Sequence, residues 1–232
     1  MEHHSSILYG PVNALLGSVG LYLPDHVIMA LLVLLLSSII FPLATRNLSK
    51  DNPGGFQQFL EVIISGIKGL LEDIVGHGAS EKFLYIISGF AVFIFLSNII
   101  GLFYFLQPPT GNINTTFALS TFAFLYYNIQ GIRTQGVVNY VKHFMGPIPL
   151  LAILMFPIEI IGHLARILSL GMRLFGNITG EHTATGIFVG IFPLLLPWPM
   201  MGLGVFGATL QTFVFIMLTM VYIGGAVSAE EH

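Results

Sequence analysis

The 232-residue chain is 55% hydrophobic and only 8% charged, with a mean hydropathy of +0.86 and a formal net charge of −3. Soluble domains carry about 25% charged residues, so this chain cannot clothe a surface in water. Eight Lys and Arg leave no footprint for nucleic acid, and the lack of cysteine excludes disulfides and thiol chemistry. The composition predicts an all-α, polytopic membrane protein forming a single integral domain over residues 1–232.

Residues 1–26 contain no Lys or Arg, no basic n-region and no A-x-A-like site, and predict an external amino terminus without a cleavable signal. A first span is expected at 27–45. Over 54–76, Phe56, Phe59, Leu60, Ile63, Ile64, Ile67, Leu70, Leu71, Ile74 and Val75 recur at helical spacing. Gln57, Glu61, Lys68, Glu72 and Asp73 fill the other side. This pattern predicts an amphipathic helix in the cytoplasmic interface, seated on a partner or on the chain's own helices. A second span is expected at 83–106. The third, at 113–132, opens with the polar step Asn114-Thr115-Thr116. A long fourth helix is expected over 148–192, with a bend near Pro157, and a fifth over 200–227.

Basic residues set the orientation. Arg46, Lys50, Lys68 and Lys82 follow the first span, and Arg133 and Lys142 follow the third. The amino terminus and the turns 107–112 and 193–199 hold none. Five spans with the amino terminus outside and the carboxyl terminus inside place all six on the cytoplasmic side.

The fourth segment carries the chemistry. Ile158–Phe192 would make roughly 52 Å of helix against a hydrocarbon core of about 30 Å, which demands a steep tilt. Breaking it between Arg166 and His182 would instead put two arginines outside. On a wheel of 100° per residue, Arg166, Ser169, Asn177, Glu159, His163 and Glu181 join Arg173 within an arc of roughly 120°. Intramembrane ionisable residues face a bundle interior or a water cavity, and mark ion paths. Arg166 also suits an anchor reaching the inner surface, whereas Arg173 sits too near the helix middle for that. Gly176 with Gly180, and Gly204 with Ala208, form small-xxx-small steps that allow close approach. Gln211, a lone amide in the last span, is expected to face the polar stripe.

The run Ser169-Leu170-Gly171-Met172-Arg173-Leu174-Phe175-Gly176-Asn177 resembles the signature of subunit a of F-type ATP synthases. Leu210-Gln211-Thr212-Phe213-Val214-Phe215, with Leu218 to Tyr222, resembles that family's last helix, and Glu230-Glu231-His232 its usual tail. Pro109-Thr110, Asn114-Thr115-Thr116, Ala118-Leu119 and Gly131-Ile132-Arg133 resemble its middle hairpin. The resemblance implies a stator subunit of a bacterial inner membrane that carries H⁺ or Na⁺ through two aqueous half-channels. It further implies c-subunit ring, b-subunit stalk and membrane lipid as partners. By the same resemblance Arg173 meets each ring carboxylate. Glu159, Asn177, His182 and Gln211 match half-channel positions, and Ser169 and Arg166 match nearby polar sites. The family often places an ionisable residue in the last helix opposite the position of His182; here that place holds Gly204. Two readings follow: His182 works with Glu181 alone, or water occupies the space left by Gly204.

A self-contained secondary transporter or channel is the competing class, but no inverted repeat is visible. An intramembrane hydrolase would want an H-E-x-x-H pair or a matched nucleophile and base, and neither occurs. No G-x-x-x-x-G-K-[ST] run points to a bound nucleotide, and no cofactor is implied. His3, His4, His26 and His77 lack metal-ligand spacing. The chain is expected to be non-catalytic by itself.

Overall fold

A computed structural model describes residues 6–17, 20, 22–46, 48–49, 53–103, 106–143, 152–191 and 197–227. The start of the fourth segment (148–151), the turn 192–196, His3, His4 and the Glu230-Glu231-His232 tail lie outside them. The elements are α1 (Tyr9–Gly17), α2 (Asp25–Ala44), α3 (Gly55–Ile74), α4 (Ala79–Ile100), a 3-10 turn (Pro109–Gly111), α5 (Ile113–Gln135), α6 (Val137–His143), α7 (Ala152–Ile191) and α8 (Pro197–Val227). Every described element is helical.

Among the described residues, four helices are long and apolar enough to cross a membrane: α2, α4, α7 and α8. The sequence predicts five embedded helices. The fifth, α5, has the length at 23 residues but is more polar, and it turns that polarity inward. Its buried stripe is Thr116, Ser120, Ala123, Tyr127 and Gly131, repeating every three or four residues. Leucines and isoleucines cover the outside of the bundle: Leu34, Leu35, Ile39, Leu164, Leu168, Ile187, Leu203 and Leu210 are all exposed. In water such a surface would aggregate; in hydrocarbon it is the required solvent-facing layer.

The main core lies where α3, α4, α5, α7 and α8 meet, around Ile87, Ile94, Tyr127, Leu174, Phe215, Met220 and Ile223. A smaller cluster of Met29, Val33 and Ile100 attaches α2 to α4. Close approach depends on missing side chains. A Cβ on Gly171 would lie 2.9 Å from Ser120 Oγ, and one on Gly131 would lie 2.9 Å from the Ala226 carbonyl oxygen.

Helix α3 divides along its length. Ile67 and Leu71 are buried in the core and Ile74 packs beside them, while Phe56, Phe59, Ile63 and Ile64 stay exposed. Seating on the chain's own helices therefore accounts for its second half alone. The corner into α4 uses Gly76 and Gly78, both at positive φ (+116° and +79°), a conformation that a side chain would strain. There Glu72 accepts hydrogen bonds from the amides of Gly78 and Ser80, each at 2.9 Å, and so caps α4 from the preceding helix.

The second span occupies 79–100, where hydropathy suggests 83–106. Capping by Glu72 lets the polar Ala79–Lys82 turn join the helix. At the other end the chain leaves the helix at Gly101, where a Cβ would lie 2.7 Å from Pro108 Cβ, so the apolar residues beyond belong to the turn. The short helix α1 has no counterpart in the sequence reading. Asn13 holds it by exchanging two 3.0 Å hydrogen bonds with the Leu23 backbone, and Ser6 bonds to Asp25.

Candidate ion path along the long helices

Helix α7 runs unbroken for 40 residues through Pro157 and through Arg166 to His182. That is about 60 Å of helix, twice the hydrocarbon thickness. Its buried face holds His163, Leu170, Leu174 and Ile178, packed on α5 and α8. Ser169, Met172, Arg173, Gly176, Asn177 and Gly180 lie on the opposite, exposed side. Arg173 makes no ion pair among the described residues, and a Cβ on Gly176 or Gly180 would have open space around it. The cation thus stands on a smooth surface that no part of the described chain covers.

One turn along, Asn177 Nδ2 donates to Gln211 Oε1 at 2.6 Å across to α8. The Gln211 amide is 4% exposed, and its Nε2 has no partner among the described residues. A further turn along, Glu181 leans on α8. Its Oε1 lies against Gly204, and its Oε2 would be 2.9 Å from a Cβ on Gly207. The space at Gly204 therefore holds the end of the Leu102 side chain and the Glu181 carboxylate together, and the two long helices carry Arg173, Asn177–Gln211 and Glu181 as successive steps at about 6 Å intervals.

Beside Glu181 a cleft opens between α4, α7 and α8, with Asn98, Pro108, His182, Thr185 and Met201 in its wall. The volume open to water centres is about 10 Å³, near the minimum that holds one water molecule. His182, on the opposite side of the helix wheel from Arg173, reaches this cleft and not the exposed face. Asn98 is 3% exposed; its Oδ1 accepts from the Thr110 hydroxyl at 2.7 Å, and its Nδ2 has no partner among the described residues. The sequence reading names Thr110 only as part of a hairpin resemblance and does not single out Asn98. The available signal was a lone amide within an apolar span, the same signal that singles out Gln211.

The other end of α7 carries a second polar group. Glu159 Oε1 lies 3.4 Å from His163 Nε2 and 3.5 Å from Arg166 Nη2. On the far side of the ring, His163 Nδ1 is 2.9 Å from the Tyr127 hydroxyl. Arg166 also sits over the Tyr222 ring at 5.3 Å. Glu159, His163 and Arg166 are thus joined, while Ser169 lies between this group and Arg173, exposed. Tyr127 and Tyr222 were invisible to the wheel, because they come from α5 and α8. Among the described residues no three His, Asp or Glu side chains converge as a metal site.

Comparison with known proteins shows the family of the chain. The family model described as ATP synthase A chain matches residues 26–224. The chain belongs to the ATP synthase subunit a family. It is 42% identical over 201 residues to the ATP synthase subunit a of a Nitratiruptor species, covering 87% of this chain and 88% of that one. It is 45% identical over 209 residues to that of Geotalea daltonii, covering 90% and 89%, and 42% identical over 213 residues to that of Campylobacter fetus, covering 91% and 92%. All three relatives are bacterial, and membership spans nearly the whole chain.

Proposed function

We propose that this chain is the ion-carrying stator subunit of a rotary ATP synthase in a bacterial inner membrane. It presents Arg173 to the carboxylates of a c-subunit ring and is held by a b-subunit stalk, with its amino terminus outside and its carboxyl terminus cytoplasmic. The reading rests above all on the position of Arg173: an exposed cation, midway along a polar stripe, with glycines beside it that leave room for a neighbour.

A ring carboxylate facing lipid has to be protonated, because an ionised one in hydrocarbon is too costly. It releases its proton where it meets water and a fixed positive charge, which favours the ionised form. Arginine suits the role because a guanidinium keeps its charge when desolvated, where a lysine ammonium can shed its proton. The same charge separates two water paths. The cleft at Asn98, Glu181 and His182 serves the outer side, reaching Arg173 through Asn177 and Gln211. The group Glu159, His163 and Arg166 serves the inner side, with Ser169 between it and Arg173. With the two mouths offset along a slanted helix, each proton falling through the potential yields about 2.3 kcal/mol per 100 mV and favours one direction of rotation. The chain performs no bond chemistry itself.

Purification with reconstitution tests this against a self-contained transporter. The stator reading expects the chain to co-purify with a c-ring and stalk, and to carry no ions alone in liposomes. Potential-driven flux by the isolated chain would refute it.

A further inference from the structure

At the inner end of α7 one carboxylate serves two bases, and only one of those bases is buried. Glu159 Oε1 lies 3.4 Å from His163 Nε2 and 3.5 Å from Arg166 Nη2. The Glu159 and Arg166 side chains are 37% and 36% exposed, whereas His163 is 9% exposed. Its imidazole is boxed in by the Tyr127 ring at 5.8 Å and the Phe124 ring at 6.1 Å, both from α5. Besides Glu159 and Arg166, the titratable groups facing it are Tyr127 and, one layer out, Tyr222 of α8 beneath Arg166. Tyr140 of α6 stands within electrostatic reach of Tyr127, Arg166 and Glu159, and its hydroxyl donates to Asn128 Oδ1 at 2.8 Å. An ionised carboxylate only accepts hydrogen bonds, so the neutral imidazole carries its proton on Nε2, toward Glu159. Nδ1 is then an acceptor, and the Tyr127 hydroxyl donates to it at 2.9 Å. A second proton has one place to go, Nδ1, where the tyrosine oxygen can accept in turn. Both charge states of His163 are thus hydrogen-bonded without any movement of the helices. What changes between them is the number of cations on Glu159, from one to two.

We propose that His163 is a valve on the inner path, open while its imidazole is neutral and closed when the inner medium protonates it. The proposal rests on the function given above and adds a regulation to its inner group. In the open state a hydronium ion gives its proton to the Glu159 carboxylate, leaving water and a carboxylic acid. The acid passes that proton on toward an ionised ring carboxylate and returns to its charged form. In the closed state His163 has itself taken a proton from a hydronium ion, again leaving water. Its imidazolium then joins Arg166 on the same carboxylate. An opposite charge this close favours the ionised form, so Glu159 no longer picks up a proton. Imidazole is the side chain that ordinarily changes charge between about pH 5 and 8, and closure therefore follows the pH of the inner medium. Tyrosine hydroxyls ordinarily keep their protons throughout that range.

The test uses inverted vesicles carrying the whole complex, whose medium bathes the inner path. ATP-driven acidification per assembled complex is measured from about pH 7.5 to about pH 5.5, across the range in which imidazole changes charge. Each variant is expressed as a ratio to the native complex at the same pH, which cancels the pH response of the other subunits. His163→Gln keeps a polar side chain without a titratable group. Its ratio should rise about threefold or more as the pH falls, because only the native path closes. A flat ratio overturns the valve whatever the rate, since a packing role lowers the rate equally at every pH. Arg166→Gln gives a second reading if His163→Gln does not assemble. At acid pH its Glu159 carries one cation, as the native residue does in the open state, so its ratio should also rise. A flat or falling ratio overturns the valve. Arg173→Ala separates the two proposals: if it is inactive while the His163→Gln ratio stays flat, the valve falls and the stator function stands. If Arg173→Ala pumps normally, the stator reading falls and the valve with it.

Discussion

Asn177 and Gln211 meet across the antiparallel pair α7 and α8, amide to amide, at 2.6 Å. The bond joins the helix that carries Arg173 to the one against which Glu181 leans, and it leaves one buried donor, Gln211 Nε2, without a partner among the described residues. Interhelical hydrogen bonds within membranes average only about 0.6 kcal/mol. Gln211→Leu should therefore lower the thermal stability of the assembled complex little, by about 1 kcal/mol or less, while slowing coupled proton transport much more. Parallel measurement of melting and acidification checks this. A loss of stability as large as the loss of transport would make Gln211 a packing residue.

The inner group makes a second prediction. Glu159→Gln removes the charge shared by His163 and Arg166, and Tyr127→Phe removes the 2.9 Å partner of His163. Both variants should assemble. Glu159→Gln should slow ATP-driven acidification by about tenfold, and Tyr127→Phe by less, because the tyrosine orients the ring without carrying charge. Unchanged rates in Glu159→Gln would remove it from the path.

Glycines on different faces should fail differently. Gly131→Ala forces a Cβ against the Ala226 carbonyl and the Tyr140 ring, and overpacking of this kind costs about 1–3 kcal/mol. The chain should then be poorly accumulated in the membrane. Gly176→Leu meets open space within the chain, so the chain should accumulate normally and yet lose its hold on a c-ring. Immunoblots of membranes and of purified complexes distinguish the two outcomes. Normal ring association in Gly176→Leu would mean that this face is not the rotor face.

The corner between α3 and α4 should respond to pH. Hydrogen bonds from the Ser80 hydroxyl and amide, then from the Gly78 amide, hold the Glu72 carboxyl below the usual value of 4.5. A depressed folded-state value stabilises the corner above the unfolded value, and that contribution is lost as the pH falls from 4.5 through the lowered one. Protection of the Gly78 and Ser80 amides from hydrogen exchange, measured relative to the intrinsic rate at each pH, should fall on acidification across this range, and Glu72→Gln should abolish the fall. An equal pH response in the variant would assign it to another group.

Much of this was legible in the sequence because a helix turns spacing into direction. The wheel put Arg173, Asn177 and Glu181 along one stripe, and a lone amide at Gln211 needed a polar neighbour. Direction along one helix says nothing about what a second helix brings, so Tyr127 and Tyr222 stayed hidden, as did the Asn98–Thr110 pair. Gly204 shows the limit most clearly. The sequence offered either His182 working with Glu181 alone or a water-filled space, and the geometry fills that space with the Leu102 side chain and the Glu181 carboxylate. Hydropathy also misjudged the ends of α4, because Glu72 extends one end and Pro108 truncates the other, and both effects come from outside the helix.

In the proposed function a permanent positive charge at Arg173 governs passage between the two water paths. ATP-driven acidification of inverted vesicles by Arg173→Lys, with the amount of assembled complex measured alongside, tests it most directly. Intact assembly and no pumping are expected, because a desolvated lysine does not hold its proton as a guanidinium does. Near-normal pumping by the lysine variant would contradict it.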